Sequence, residues 1–483
     1  MKYRLFFIVL ALLGLTVTGR GQLIDDALRM AAPATTVGAR SFSMGNAFVA
    51  VADDYSATYW NPAGLGLLRR PEFALGLMNI SASNDVAFLN TAMHATTSNT
   101  RLNNVGFALP FPTMRGSLVF AVGYNRIQNY DASLAFNALN GTRSIIPVLK
   151  DPDQRFDLAW KLWLQNDKGE TPFDLGLQQS ADVLESGGMN AWTFSGSIEA
   201  ARDIFVGLTL NLLSGSYRWE RTWEEEDVND IYQDPIVQSD EFDTQDFQYF
   251  QMNEKVKQDI SGWNVRMGFI YKIQDYARIG AVIETPTFYT VTEDYYKQGT
   301  STFARASATY DFTTLSDHSI TTPWRFSIGA SGRPIKHLTM AFQMDYSDLS
   351  ETEFSNVADI GYESELNKAI RSSWKNAFVF AGGMEFTVPK TPLQIRAGYN
   401  YQTSPWKRDE GDSDYDTKTI TAGIGYLFSE TFQLNAMWGN TNYKTFHYNY
   451  DPNATTPPVP ESAVRTDEEV SLTYLMFSVA YRF

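Results

Sequence analysis

The sequence predicts an all-β fold, a transmembrane antiparallel β-barrel of fourteen strands, and three observations carry the prediction. Apolar residues recur at every second position in many short stretches. The chain opens on an export leader, after which no apolar run is long enough for a membrane helix. The last stretch ends in an aromatic residue, Phe483. A chain that crosses a bilayer without helices must close its sheet, because unpaired backbone groups cannot face lipid.

The leader is expected over residues 1–21. Lys2 and Arg4 supply the positive start, Leu5 to Val17 the apolar run, and Thr18 to Gly21 the small residues before cleavage near Gln22. The chain has no cysteine, which excludes a lipid anchor and suits a protein exported through an oxidising compartment. A formal charge of −16 repels phosphate and argues against nucleic acid as a partner.

Alternation is clearest at the end of the chain. Leu475, Phe477, Val479, Tyr481 and Phe483 share one face, whereas Met476, Ser478, Ala480 and Arg482 share the other. The pattern recurs at Ile204 to Leu210, Val265 to Tyr271, Phe378 to Phe386 and Leu393 to Tyr401. Strands are expected to start near Glu72, Leu102, Ser117, Asn190, Asp203, Trp263, Ala277, Thr321, His337, Asn376, Pro392, Lys418, Thr431 and Val470. Tyr124, Trp192, Tyr271, Tyr346, Tyr401, Tyr426, Trp438 and Tyr481 fit two aromatic girdles. Short connections alternate with long polar ones at 129–189, 219–261, 292–319, 350–374, 404–416 and 444–468, which sets periplasmic turns against outer loops. Pro286 falls near the outer end of a strand, where the membrane boundary tolerates it.

Residues 22–70 precede the barrel and do not alternate. They contain Gly38-Ala39-Arg40, Met44-Gly45-Asn46-Ala47, Ala52-Asp53-Asp54 and Asn61-Pro62-Ala63-Gly64. On these residues the chain resembles the FadL-type family of outer-membrane long-chain fatty acid transporters. The resemblance implies an N-terminal hatch over 22–70 inside a barrel over 71–483. It further implies capture of a hydrophobic ligand in an outer groove, passage to an inner pocket, and escape through a lateral opening beside the hatch. Asp53 and Asp54 are placed to pair with inward arginines, for which Arg266, Arg278, Arg325 and Arg396 stand ready on the wall. An equally good reading has these charges line a water-filled lumen.

Apolar residues at inward positions are the informative exceptions in such a bore. Parity places Met78, Val119, Phe205, Leu213, Ile270, Val282, Val379, Met437, Leu472, Tyr474 and Met476 there, and the N-terminal segment adds Phe48, Tyr55, Tyr59 and Trp60. Both ligand contact and simple packing against the wall fit these side chains. Phe156, Trp160 and Trp163 fall on one face of a helix expected in the outer loop at 129–189, where they would form a capture groove or pack against neighbouring loops. The acidic run from Trp223 to Asp234 reads as a solvated loop, with divalent-ion bridging to surface lipid as the sharper alternative.

No catalytic, metal or cofactor site is expected. The four histidines, His94, His318, His337 and His447, fall in expected loops or turns, away from any wall serine. The expected partners are a hydrophobic small molecule, the membrane lipid, and the assembly machinery that reads a C-terminal Phe483, with the protein monomeric. A second function fits the same fold: an outer-membrane shuttle of a type IX-like secretion system, binding exported proteins through its outer loops.

Overall fold

The computed structural model describes residues 20–32, 36–150, 157–236, 242–409, 411–452 and 459–483. The expected leader lies outside the described residues except for Arg20 and Gly21, which begin helix α1 (Arg20–Ala31). Eighteen extended segments form one sheet, and four pairs of them continue a single strand across a short break, so the barrel has fourteen strands. These are β1 (Glu72–Phe88), β2 (Thr91–Phe111), β3 (Leu118–Asn129 and Ala132–Asn140), β4 (Leu177–Ala201) and β5 (Ile204–Glu226). Next come β6 (Phe247–Ile273), β7 (Ala277–Glu284 and Phe288–Phe303), β8 (Ser307–Thr321 and Arg325–Ile335) and β9 (Leu338–Asp348 and Glu353–Ser355). The last are β10 (Asn376–Thr387), β11 (Leu393–Gln402), β12 (Thr417–Ser429), β13 (Phe432–Tyr448) and β14 (Arg465–Arg482). All neighbours are antiparallel, and β14 closes on β1 from Glu72↔Arg482 to Phe88↔Thr466.

The alternation read from sequence is the alternation of the wall. Leu475, Phe477 and Tyr481 are exposed while Met476 between them is fully buried. Leu208, Phe269, Ile328, Phe380, Ile395 and Ile424 continue an exposed apolar belt around the barrel. Trp192 and Trp438 lie at its outer rim and Tyr271, Tyr426 and Tyr481 at the periplasmic rim, as girdles require. Pro286 sits in the break of β7.

The periplasmic strand ends agree with sequence within two residues or so, as do the outer starts at Asn376 and Lys418, but the other outer ends do not. Strands β4, β5 and β6 run on to Leu177, Glu226 and Phe247, so much of the expected loops at 129–189 and 219–261 is strand. The expected loop at 292–319 is a hairpin of β7 and β8 with a turn of three residues. Beyond the bilayer no face must be apolar, so the period-two signal disappears although the backbone ladder continues. His94, His318 and His447 thereby lie on strands, not in loops.

Above the membrane the extensions enclose an apolar core that includes Phe88, Phe136, Ile146, Trp223, Phe250 and Tyr450. The acidic run is solvent-exposed loop past Glu226, as expected, but Trp223 and Glu225 at the end of β5 are fully buried and correct that reading at its start. The Glu225 carboxylate accepts from the Ile145 amide (2.8 Å), Gln179 Nε2 (2.6 Å) and the Ser144 hydroxyl. It lies twenty-one residues from the periplasmic start of β5, about twice the length of a membrane span. Burial pushes its pKa up from 4.5 to about 7, against those hydrogen bonds. Its folded value is above the unfolded one, so its stabilising contribution is present below pH 4.5 and is lost as pH rises through about 7. Protease nicking of 141–176 should therefore be slower at pH 5 than at pH 8, and the variant Glu225→Gln should flatten that difference.

Candidate functional site

Residues 36–68 lie inside the wall. They comprise α2 (Ala39–Ser43), α3 (Ala57–Trp60) and a 3-10 turn over Pro62–Leu67. Asn61 starts that turn with its side chain accepting from the Ala63 amide, and Pro62 fits the first turn because no N–H is needed there. Close approach explains the glycines on the wall. A Cβ at Gly383 would meet the Met44 carbonyl oxygen at 2.2 Å, at Gly398 the Gly45 nitrogen at 2.0 Å, and at Gly123 the Tyr55 hydroxyl at 1.9 Å. Gly207, Gly268 and Gly280 are similarly filled by Pro62, Asn61 and Val49. Gly64 is closed by Ala52, whose carbonyl oxygen a Cβ would meet at 1.9 Å.

Ion pairs join the segment to the wall. Arg40 contacts Asp53 (2.5 Å), Asp54 (3.3 Å) and Glu385 of β10 (2.8 Å). Arg278 reaches Asp53 at 3.1 Å, and Arg396 holds Glu385 at 2.7 Å. Arg266 pairs with Glu284 at 2.5 Å and donates to the Tyr59 carbonyl. Arg325 donates to the carbonyls of Ala31 (3.2 Å) and Ala32 (3.4 Å). Sequence reasoning found the wall arginines but missed Arg40 as the central cation. Its place in the same motif as Asp53 was the available signal.

Helix α1 occupies the outer lumen. The Arg29 guanidinium lies 3.5 Å over the Tyr217 ring, and Asp26 accepts from Arg29 (2.5 Å) and Gln258 (2.7 Å). Between α1 and the segment below lie two adjoining cavities that share Tyr59, Arg266, Glu284 and Arg325. The one under α1 has about 40 Å³ and is walled by Met30, Leu213 and Tyr289. The other has about 110 Å³ and is walled by Val49, Trp60, Val282, Tyr346 and Val379, with Gln343, Asp345 and Asn400 as polar neighbours. It is slightly smaller than the ~150 Å³ apolar cavity known to hold benzene.

Of the apolar candidates, Tyr59, Trp60, Leu213, Val282 and Val379 line these cavities, and the others are placed elsewhere. Phe48 packs with Met44 and Leu65. Tyr55 fills the space over Gly106 and Gly123, and Phe205 packs on Ala63 and Ile270. Leu472, Tyr474, Met476 and Met437 form one cluster with Phe42, whose ring centroid is 5.0 Å from that of Tyr474. Phe156 lies outside the described residues. The expected amphipathic helix is corrected to a single turn, α4 (Leu158–Lys161), and its buried members are Leu158 and Ala159. Trp160 is exposed, and Trp163, past the helix end with a left-handed backbone, stacks on Phe242 at 5.1 Å. Asp157 caps the turn, and Leu162 and Leu164 bury beside it, so the apolar face lies away from both tryptophans.

The wall itself has a gap. Pairing of β2 with β3 runs from Phe111↔Leu118 to Asn104↔Asn125, and among the described residues it goes no further. Above that point β2 pairs only with β1, and β3 only with β4. Three irregularities sit at this level. A register shift against β1 leaves Asn103 out of the β2 ladder, another leaves Ile127 out of β3, and Gly187 and Gly188 of β4 have positive φ. Arg126 spans the kink, donating to the Gly187 carbonyl at 2.6 Å. The Asn103 side chain donates to the Thr36 carbonyl (2.8 Å) and accepts from the Gly38 amide (3.1 Å), which places the start of the N-terminal segment at the gap. Higher up the contacts involve side chains: Asp131 of the β3 break accepts from Asn99 (3.0 Å) and Arg101 (3.0 Å) of β2, and the Thr91 hydroxyl donates to the Asn137 carbonyl (3.0 Å).

Comparison with known proteins agrees with this architecture. No curated protein matches the chain. Solved structures do, at low identity: a Pseudomonas aeruginosa FadL homologue (TM-score 0.58, 12% identity, 93% of this chain and 99% of that one) and the P. putida toluene transporter TodX (0.54, 15%, 92% and 98%). The CymD monoaromatic hydrocarbon channel also matches (0.50, 13%, 92% and 97%). A family model described as outer membrane protein transport protein (OMPP1/FadL/TodX) matches residues 205–483, more than half of the chain. With the closed fourteen-stranded wall, that match identifies the chain as a member of the OMPP1/FadL/TodX family of outer-membrane transport proteins.

Proposed function

We propose that the protein passively admits small hydrophobic molecules through the outer membrane, that residues 22–70 are its hatch, and that ligand leaves sideways between β2 and β3. The observation that carries this reading is the loss of the β2–β3 ladder beyond Asn104↔Asn125, at the level where Asn103 binds Thr36 and Gly38. A straight path to the periplasm is opposed by the close contacts around Met44, Gly45 and Pro62. A lateral path needs only side chains to move. The cavity beside Trp60 and Val379, about 110 Å³ and lined in part by Arg266, Glu284, Arg325 and Asp345, is closer in size to a single aromatic ring than to a long acyl chain. Solved relatives that carry toluene and monoaromatic hydrocarbons favour the same substrate class. Trp160 and Trp163, in the outer loop, are the proposed first contacts.

The test is uptake into proteoliposomes. Radiolabelled toluene and a long-chain fatty acid should equilibrate faster with protein than without it, while a labelled hexose should not. Hexose permeation at the hydrophobe's rate would contradict the proposal. So would purification from the native membrane with stoichiometric secreted proteins, the outcome a secretion shuttle predicts.

A further inference from the structure

The outward face of β5, β6 and β7 changes chemistry in ordered bands. The apolar belt ends at Leu212 and Trp263, which are paired, and at Phe288, paired with Trp263. All three are more than two-fifths exposed, and the Trp263 and Phe288 ring centroids lie 5.0 Å apart. The next outward row is Ser214, Ser261 and Thr290, and the row after it Ser216, Asp259 and Thr292. Above these, Arg218 stands directly opposite Lys257, both exposed.

At the apolar edge of this face the wall is notched. Strand β7 breaks at 285–287 and β8 at 322–324, each at a Thr-Pro, and β9 stops at Asp348 before resuming at Glu353. The notch forms an open cleft of about 480 Å³ with Leu212, Trp263 and Phe288 on its membrane side and the hydroxyls of Ser261, Thr290 and Ser319 on its outer side.

Like charges set directly across two strands are destabilising, so the Arg218–Lys257 pairing calls for an anion. Lys257 is compensated by Asp259 at 3.1 Å and stands directly opposite Asp294 of β7, which leaves Arg218 the stronger site. Six residues separate the cationic row from the apolar row, roughly 20 Å along each strand, or about 14 Å of height at a 45° tilt. A phospholipid carries its phosphate on the same glycerol as its acyl chains and does not span that height. A glycolipid, with sugars between its chains and its outer phosphates, can.

We infer that this face is a binding site for a phosphorylated, acylated glycolipid of the outer leaflet. An acyl chain enters the cleft on Leu212, Trp263 and Phe288. Sugar hydroxyls meet the serine and threonine rows. A phosphate bridges Arg218 and Lys257. These contacts lie on the outward face, and the cleft shares Leu213 and Tyr289 with the cavity under α1.

The experiment is native mass spectrometry of the full detergent-solubilised chain, titrated with purified phosphorylated lipid A carrying its inner-core sugars, or with phosphatidylglycerol. The wild type should bind the glycolipid at least tenfold more tightly than phosphatidylglycerol. The double variant Arg218→Glu/Lys257→Glu should lose at least tenfold, and Ser261→Trp, which fills the cleft, should weaken binding while leaving the charges in place. Heat-modifiable electrophoretic mobility shows that each variant is folded. Equal affinity for the two lipids, or glycolipid binding unchanged in the charge variant, would overturn the assignment. Toluene uptake is read separately and should be unaffected.

Discussion

Bridging residues 99 and 131 with a short thiol-reactive cross-linker is expected to reduce hydrophobe uptake at least tenfold, and reduction is expected to restore it. The chain has no cysteine, so the pair Asn99→Cys/Asp131→Cys has no competing thiol. In the native protein these side chains meet at 3.0 Å, beside Arg101, and the Thr91 hydroxyl reaches the Asn137 carbonyl at the outer end of the same gap. Each hydrogen bond to the Asp131 carboxylate exchanges with water at a net cost of roughly 1.5–3 kcal/mol, so thermal opening is still accessible. A covalent bridge removes that motion but leaves the lumen, the cavities and the outer surface unchanged. Binding of ligand to the cross-linked protein should therefore persist while transport stops. If uptake continued at the native rate, the exit would lie elsewhere.

The second large effect is expected at Arg40. Replacing it with Ala leaves Asp53, Asp54 and Glu385 close together without the cation that joins them. Removing one partner of a buried ion pair costs roughly 3–5 kcal/mol because the remaining charge is left uncompensated. Arg278 still reaches Asp53 and Arg396 still holds Glu385, so the lower end applies. The fourteen-stranded ladder does not depend on these contacts. The variant should therefore retain heat-modifiable mobility while its N-terminal segment releases at lower denaturant. Single-channel conductance to small ions should rise above that of the native protein. Unchanged conductance together with an unchanged release midpoint would show that the pairs around Arg40 do not hold the segment.

These expectations rest on features that were unequally visible in the sequence. The belt was legible because lipid imposes a strict rule: every second side chain on a spanning strand must be apolar, and Leu475, Phe477 and Tyr481 obey it. Periplasmic ends were legible for a related reason, since tight turns such as that between Ala201 and Ile204 interrupt the alternation abruptly. Outside the bilayer the rule lapses. Strands β5 and β6 go on pairing through Glu220↔Lys255 and Thr222↔Asn253 with no periodic signature. Trp223 and Glu225 were hidden for the same reason, because an acidic run reads as solvated unless its partners, here Ser144, Ile145 and Gln179 from distant segments, are known.

Inside the lumen, parity placed Met78, Phe205, Leu213 and Met476 correctly on the inner face. It could not separate those that meet a cavity from those that meet the N-terminal segment. That division depends on backbone approach at Gly123, Gly207 and Gly383, and a glycine inside a strand looks alike whether it admits a ligand or a neighbouring chain. The gap at Asn103 and Ile127 left still less trace. A single bulged residue moves a strand out of register without changing composition.

The claim on which the account turns is that a hydrophobe leaves through the side of the barrel. The direct measurement is photolabelling of the reconstituted protein with a diazirine-bearing toluene analogue, with the labelled residues mapped by mass spectrometry. Labels on Tyr59 and Trp60 in the cavity and on Asn103, Asn125 and residues 126–131 at the gap are the predicted result. Labels on Leu65 to Leu68 and the periplasmic ends of β4 and β5, with the gap unmarked, would show a path straight down past the N-terminal segment and would contradict it.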